Sequence, residues 1–295
     1  MELISCLYDL NSYNKIKPYC DGIVVYSSDF SSFFMNGLKL DEIKELIKIN
    51  QNEKKIFINV EFMLENEEID NITSFIKEFK DENVYFIYSD LGIFQIMREF
   101  GIENRGIYNP NTLITNNFDM NFYTNLNALG TMLSLEITVE DQKNMLDVSA
   151  GKVMMQVFGY HLMFHSKRHL IDLYSEFLGQ NFDLDNYNSY LIEQTRKDKY
   201  HVYQSNRGTS LFRPYVISYL ENLNDLNKLD YALLDNIFID ENTYIKVLET
   251  YHGYLNNKID LDSALNILNS LELEYNDGFK YQDTVYQKEA ILCTK

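Results

Sequence analysis

"VMMQVFGYHLMFHSKRHLIDLY", residues 153–174, is the stretch on which the fold turns. Its first eight residues form a continuous apolar run of the kind a strand shows when both of its faces are buried. A short polar segment follows, and then "HLIDLY", whose apolar residues recur at helical spacing. Strand, loop and helix in that order make one unit of an alternating α/β chain. The stretch also holds three of the chain's five histidines, His161, His165 and His169, four residues apart. On one helix that spacing would stack three imidazoles, as a metal site requires. Because His161 directly follows the strand, it is expected in a loop, and the metal reading then loses a ligand.

The same alternation runs outward in both directions. Strand-like runs are "LISCLYD" (3–9), "GIVVYSS" (22–28), "KIFINVE" (55–61), "VYFIYSD" (84–90), "GIYN" (106–109), "GTMLSLE" (130–136), "VMMQVFGY" (153–160) and "YALLDNIFI" (231–239). Helical patterns lie between them at 40–50, 69–80, 91–101 and 138–146, the last with Thr138 as N-cap. Parallel neighbours need crossovers, so repeated strand–helix–strand units imply a parallel sheet, and eight strands favour a (β/α) TIM-barrel-like domain, regular or distorted. Residues 1–240 are expected to form this domain, with a long insertion after strand seven at about 161–229. The insertion has a polar Tyr/Asn stretch, a basic knot at 196–214 and a helical run, "YVISYLENLNDLNKL". Residues 241–295 carry two helix candidates expected to cap the barrel.

The 295 residues are 45% hydrophobic and 14% aromatic, which excludes a disordered chain. The three cysteines, Cys6, Cys20 and Cys293, are scattered with no CxxC pair, so neither a zinc ribbon nor a disulfide framework is supported. The N-terminus lacks a basic region before its apolar run, and no run reaches the length of a membrane span, so a cytoplasmic location is expected. A net charge of −18 repels a phosphate backbone as a whole. Residues 152–213 are the exception, with eight Lys/Arg against six Asp/Glu; their local balance of +2 leaves −20 on the rest. No GxGxxG and no P-loop is present.

In a barrel, the C-terminal strand ends converge on one face. Here they read Ser27, Glu61, Asp90, Asn109, Glu136 and Tyr160–His161, although strand ends are also polar simply because they meet water. Ser166, Lys167 and Arg168 occupy a strand–loop–helix junction where free backbone N–H groups and two cations suit a carboxylate or phosphate, with Ser166 as the expected N-cap; a solvated helix start remains the plainer alternative. Nucleophilic catalysis finds little support, since no GxSxG elbow occurs and Cys6 and Cys20 lie in apolar segments.

"QVFGYHLMFHSKRHLIDLY" resembles the signature of the collagenase-like peptidase family whose catalytic type was never assigned. "DGIVVYSSDFSSF", "KKIFINVEFML", "FIYSDLGIFQIM", "IYNPNTLITN", "LSLEITVEDQ", "NRGTSLF" and "DGFKYQDTVY" follow in the family's order, roughly from residue 20 to 285. Cluster-bearing members carry E-x-F-x-x-G-x-x-C-x-x-x-S-G-R-C. Registered on Gly159, Ser166 and Arg168 match that motif, whereas its acidic position falls on Met154 and its cysteines on Leu162 and His169. The resemblance therefore implies the shorter, cluster-free branch, with no metal and no cofactor. It also implies a role as a subunit in prephenate-dependent 5-hydroxylation of the tRNA wobble uridine, beside a longer cluster-bearing paralogue through which tRNA is held. A genuine endopeptidase, as the family label says, and a non-catalytic small-carboxylate-binding module are the alternatives. The expected binding residues are Ser166, Lys167, Arg168, His161, Arg207, Thr209, Glu61 and Asn109, with no catalytic residue assigned.

Overall fold

A computed structural model describes residues 1–32, 37–111, 113–182, 184, 188–195 and 197–282. Eight parallel strands form a closed barrel. They are β1 (Glu2–Leu7), β2 (Gly22–Tyr26), β3 (Lys55–Val60), β4 (Val84–Tyr88), β5 (Gly106–Tyr108), β6 (Gly130–Met132), β7 (Lys152–Ser166) and β11 (Tyr231–Leu234). Each pairs with the next, and β11 closes the ring by pairing in parallel with both β1 and β7. All eight overlap the runs the sequence marked, six beginning within them and β1 and β7 one residue before, because each crosses the barrel on an apolar segment. Helices α1 (Tyr13–Ile16), α2 (Leu40–Asn50), α3 (Ile69–Glu78), α4 (Leu91–Glu99), α5 (Asn117–Asn125) and α6 (Val139–Asp147) follow the first six strands. Thr138 does cap α6, its side chain accepting from the Asp141 N–H at 3.1 Å.

Period two sorts the strand residues onto two faces. Ile4, Cys6, Val24, Tyr26, Phe57, Ile87, Ile107, Met154, Tyr231 and Leu233 form one buried cluster and fill the barrel. Their neighbours along the strands, such as Leu3, Ile23, Ile58, Phe86 and Leu234, belong to the larger cluster under the helices.

The stretch at 153–174 departs from its expected reading. β7 does not stop at Tyr160 but runs fifteen residues to Ser166, so His161 and His165 lie in a strand and not in a loop. Beyond the barrel rim it pairs antiparallel with β10 (Gly208–Ser218), which pairs with β9 (Lys199–Ser205) and through it with β8 (Tyr190–Ile192). The basic insertion is therefore largely a β-sheet extension that stands over the mouth. Helix α7 (Leu170–Leu178) begins only at Leu170 with His169 at its N-cap, so Ser166 does not cap it. The expected helix at 215–229 is also replaced: β10 runs to Ser218, and turns follow. Leu220, Leu223, Leu226 and Leu229, all at most 2% exposed, recur every three residues, which suits successive tight turns better than a 3.6-residue helix.

After β11 come α8 (Glu241–Leu255) and α9 (Leu261–Asn269). Helix α8 lies against the outside of the barrel, where Tyr244 donates to the Leu234 carbonyl at 2.9 Å and Tyr251 to the Val157 carbonyl at 3.1 Å. No helix among the described residues is long and apolar enough to cross a membrane.

Candidate functional site at the barrel mouth

The inward face of each strand, followed past the apolar filling, leads to polar residues. β1 leads to Tyr8, β2 ends at Tyr26, β3 passes Asn59 to Glu61, β5 leads to Asn109, β7 reaches Gln156 and β11 leads to Asp235. In β7 the register with β11 slips by one residue between Gln156 and Phe158. The slip moves the inward positions from even to odd numbers, and so His161 also faces the mouth. Tyr26, Glu61, Asn109, Gln156, Tyr160, His161 and Asp235 line one cavity, with Leu162 and Phe212 of the extension above it. Glu61, Asn109 and His161 were expected here from their places at strand ends. Asp235 was missed, because "YALLDNIFI" reads as one apolar strand. Its register with Tyr231 and Leu233 is the signal that places it.

Glu61 and His161 are 3% and 7% exposed. Asn59 is oriented by its carbonyl oxygen, which accepts from the Glu61 N–H and the Ser31 hydroxyl, both at 3.0 Å. Its amide nitrogen consequently donates to Glu61 Oε2. Glu61 Oε1 is buried and has no hydrogen-bond partner; the Asn109 amide faces the carboxyl without closing a bond on that oxygen. Burial pushes the Glu61 carboxyl up to about 8, against the opposing pull of the Asn59 and Asn109 amides and with a further push from Asp235. Burial also raises the carboxyl of Asp235, which accepts from Tyr8 at 2.9 Å, Tyr26 at 3.4 Å and the Ile237 N–H at 2.9 Å.

Burial depresses His161 to about 3, helped by the charge of Arg213, so its ring is neutral. The tautomer follows from its neighbour. Gln156 uses its amide nitrogen on the Phe158 and Tyr160 carbonyls, which turns its oxygen toward His161 Nδ1 at 3.5 Å. Nδ1 therefore carries the proton, and Nε2 presents a lone pair that is buried and unpartnered. The cavity thus holds two buried side-chain atoms without a hydrogen-bond partner: Glu61 Oε1, a donor while the carboxyl is protonated, and His161 Nε2, an acceptor.

The basic residues lie elsewhere. Lys167 pairs with Glu65, and Arg207 pairs with Glu68 at 2.8 Å, donates to the Asp29 carbonyl and covers the Phe62 ring at 4.6 Å. Both carboxylates sit in the segment after β3, so this part of the extension is clamped to an acidic loop of the same chain. Ser166 accepts from the Arg168 N–H at 3.2 Å, and Arg168 itself is exposed. Thr209, 3% exposed, accepts from the Leu170 N–H at 2.9 Å and fixes the start of α7. Arg207→Ala is expected to cost about 2 kcal/mol, since a half-buried charge-assisted pair and a cation–π contact go together. Urea denaturation at neutral pH measures the loss; an unchanged midpoint would show that the clamp contributes nothing.

The histidines of the opening stretch have three different surroundings: His161 in the cavity, His165 with Nδ1 2.9 Å from the Ser210 hydroxyl, and His169 3.4 Å from Asp172. The other strand-end residues divide likewise. Asp90 caps α4 and binds the Leu64 N–H, Ser27 is buried, and Glu136 lies 3.9 Å from Arg213. Cys6 and Cys20 are buried at 0% and 3%, while Cys293 lies outside the described residues. Leu162 and His169, which fall on the cysteine positions of the cluster-bearing motif, and Met154 in the barrel filling offer no thiolate. Among the described residues, the two thiols are buried apart from each other and do not fit an iron–sulfur cluster.

The sequence matches peptidase family U32 over residues 21–286. The chain belongs to that family. A protein of Bacillus subtilis (strain 168) named tRNA hydroxylation protein P2 is 20% identical to it over 265 residues, covering 83% of this chain and 86% of that protein. The family match at 21–286 spans every barrel strand but β1, so the mouth of this U32 barrel falls within the matched residues.

Proposed function

We propose that this chain acts in tRNA hydroxylation, as a cluster-free subunit in the prephenate-dependent formation of 5-hydroxyuridine at the wobble position. The observation that carries this reading is the likeness, over most of both chains, to a protein named for tRNA hydroxylation. The site is compatible with it. A half-enclosed cavity with a protonated carboxyl and a neutral imidazole suits a small uncharged group better than an extended peptide. The scattered cysteines support a partner as the carrier of any cluster, namely a longer cluster-bearing paralogue. A net charge of −18, with Lys167 and Arg207 engaged by the chain's own carboxylates, favours tRNA held through that partner.

Among the described residues, the peptidase label has the Ser210–His165 contact to rest on. Ser210 is fully buried at 0% exposure, so its hydroxyl cannot reach a peptide carbonyl. Deleting the gene is expected to remove 5-hydroxyuridine derivatives from tRNA, read by mass spectrometry of nucleosides, and a plasmid copy to restore them. Unchanged tRNA would overturn the reading. Collagen or gelatin cleavage by the purified chain, lost in Ser210→Ala, would replace it with the endopeptidase.

A further inference from the structure

We infer that the barrel-mouth cavity is a binding site for the uncharged lactam or imide edge of a nucleobase, with Glu61 donating to the ring carbonyl and His161 Nε2 accepting from the ring N–H. This rests on the tRNA reading for the kind of ring, and on the cavity for its recognition.

Leaving a buried polar atom unpaired costs on the order of 1–3 kcal/mol, so native structures rarely keep two in one cavity without a partner for them. Glu61 Oε1 and His161 Nε2 are such atoms, and both belong to residues lining the same cavity of about 50 Å3, which opens outward to solvent. Neither group can turn to satisfy itself. Glu61 is held by Asn59, whose amide is fixed by the Glu61 N–H and Ser31, and His161 is held by Gln156, whose amide is fixed by two carbonyls. A fixed donor and a fixed acceptor in one cavity suit a ligand that carries both a carbonyl and an N–H. Tyr26, Tyr160 and Phe212 supply aromatic walls of the kind on which flat rings stack.

The same cavity rejects anions. Among its lining residues there is no Lys or Arg, while Glu61 and Asp235 are both present. A carboxylate or phosphate entering it would lose its water and meet two carboxyl groups. The titratable groups that act on Glu61 are Asp235 next to β11, Cys6 on β1 and Tyr26 on β2; His161 on β7 lines the same cavity, with Arg213 of β10 near it. Below the titration of Glu61 it donates. Once Glu61 ionises, the carbonyl of the ligand faces a carboxylate instead, and binding fails.

Uracil titrated into the purified full chain tests the site, followed by NMR of 15N-labelled histidine. The His161 Nε2 signal is expected to move as uracil is added. 1,3-Dimethyluracil, which keeps both carbonyls and has no N–H, is expected to bind about tenfold more weakly, as loss of one hydrogen bond to a buried acceptor implies. Uracil binding is expected to fall as pH rises through about 8, where Glu61 titrates, and Glu61→Gln, which keeps an N–H donor, to hold its affinity across that range. No signal change up to the solubility limit of uracil, equal binding of 1,3-dimethyluracil, or displacement of uracil by benzoate would each overturn the inference. The assay needs neither tRNA nor partner, so it fails separately from the proposed function: absent uracil binding removes the site, and unchanged tRNA after gene deletion removes the function.

Discussion

Gly159→Ala is expected to destabilise the chain by about 3 kcal/mol and to disturb the cavity as well. Gly159 sits in β7 with φ at +125°, a conformation that side-chain-bearing residues rarely adopt. A Cβ added there would lie 2.5 Å from the Asp235 carbonyl oxygen and 3.1 Å from the Gln156 amide nitrogen. The backbone at that point is shared between two pairings. Just before it, β7 runs parallel to β11, and the Asp235 N–H still donates to the Phe158 carbonyl at 3.0 Å. From Phe158 onward β7 pairs antiparallel with β10. Relief of the clash has to push Asp235 away or open the slip that turns His161 inward. Gly179 provides a control. It ends α7 with φ at +63° and has nothing within 4 Å of an added Cβ, so Gly179→Ala carries only the left-handed backbone cost of about 1 kcal/mol. Urea denaturation of both variants separates the two effects. Equal losses would mean that the close approach to Asp235 does not matter.

The barrel was legible because its evidence is local and repeated. Eight apolar runs, each bounded by turns and separated by amphipathic segments, specify parallel strands before any long-range contact is known. The sheet extension was not legible, because past Gly159 the second half of β7 loses its apolar continuity: Leu162 and Met163 are half-buried and Phe164 is 45% exposed. A strand buried by a hairpin on one edge and half-open on its faces looks, in sequence, like a loop leading to a helix. The hairpin signal was nonetheless present. "KYHVYQS" and "GTSLFRP" flank Asn206–Arg207, and Gly208 takes φ at +125° where the chain reverses, where an added Cβ would lie 2.0 Å from the Ser166 carbonyl oxygen.

The site was half legible for a related reason. Glu61 and Asn109 follow short apolar runs at once and stand out as polar strand ends. Asp235 follows "YALL" in the same way, but Ile237 and Ile239 beyond it prolong the apolar impression, although β11 stops at Leu234. The attraction of the histidine spacing and of "SKR" came from counting along a helix or a helix start. In the strand that actually forms, those residues are distributed between the cavity, the neighbouring strand β10 and the acidic loop after β3. Charge counting had the same limit: a local balance of +2 does not reveal that Glu65 and Glu68, a hundred residues earlier, meet Lys167 and Arg207.

Glu61→Gln is expected to stabilise the chain by about 3 kcal/mol at pH 7 and by almost nothing at pH 4. The sign follows from the proton count. The Glu61 carboxyl titrates near 4.5 when unfolded and at about 8 when folded, because burial disfavours its charged form more than Asn59 and Asn109 favour it. Between those values the folded chain holds a proton that the unfolded chain has released. Stability is therefore full below about pH 4.5 and falls as pH rises toward 8, by about 1.4 kcal/mol for each pH unit crossed. The two and a half units up to pH 7 give the expected figure. Glutamine carries no such penalty: its oxygen can take the Asn59 donor while its amide nitrogen fills the place of the O–H. Urea midpoints of the wild type and Glu61→Gln, measured at several pH values from 4 to 8, should converge at the acid end and separate steadily toward the alkaline end. Parallel curves would show that Glu61 titrates alike in both states and is not held protonated. A chain that keeps a carboxylic acid neutral at physiological pH, against a cost that one isosteric change would abolish, gains from it a hydrogen-bond donor that no ionised carboxylate can supply. That donor lies on Oε1, a buried atom of the cavity with no hydrogen-bond partner among the described residues.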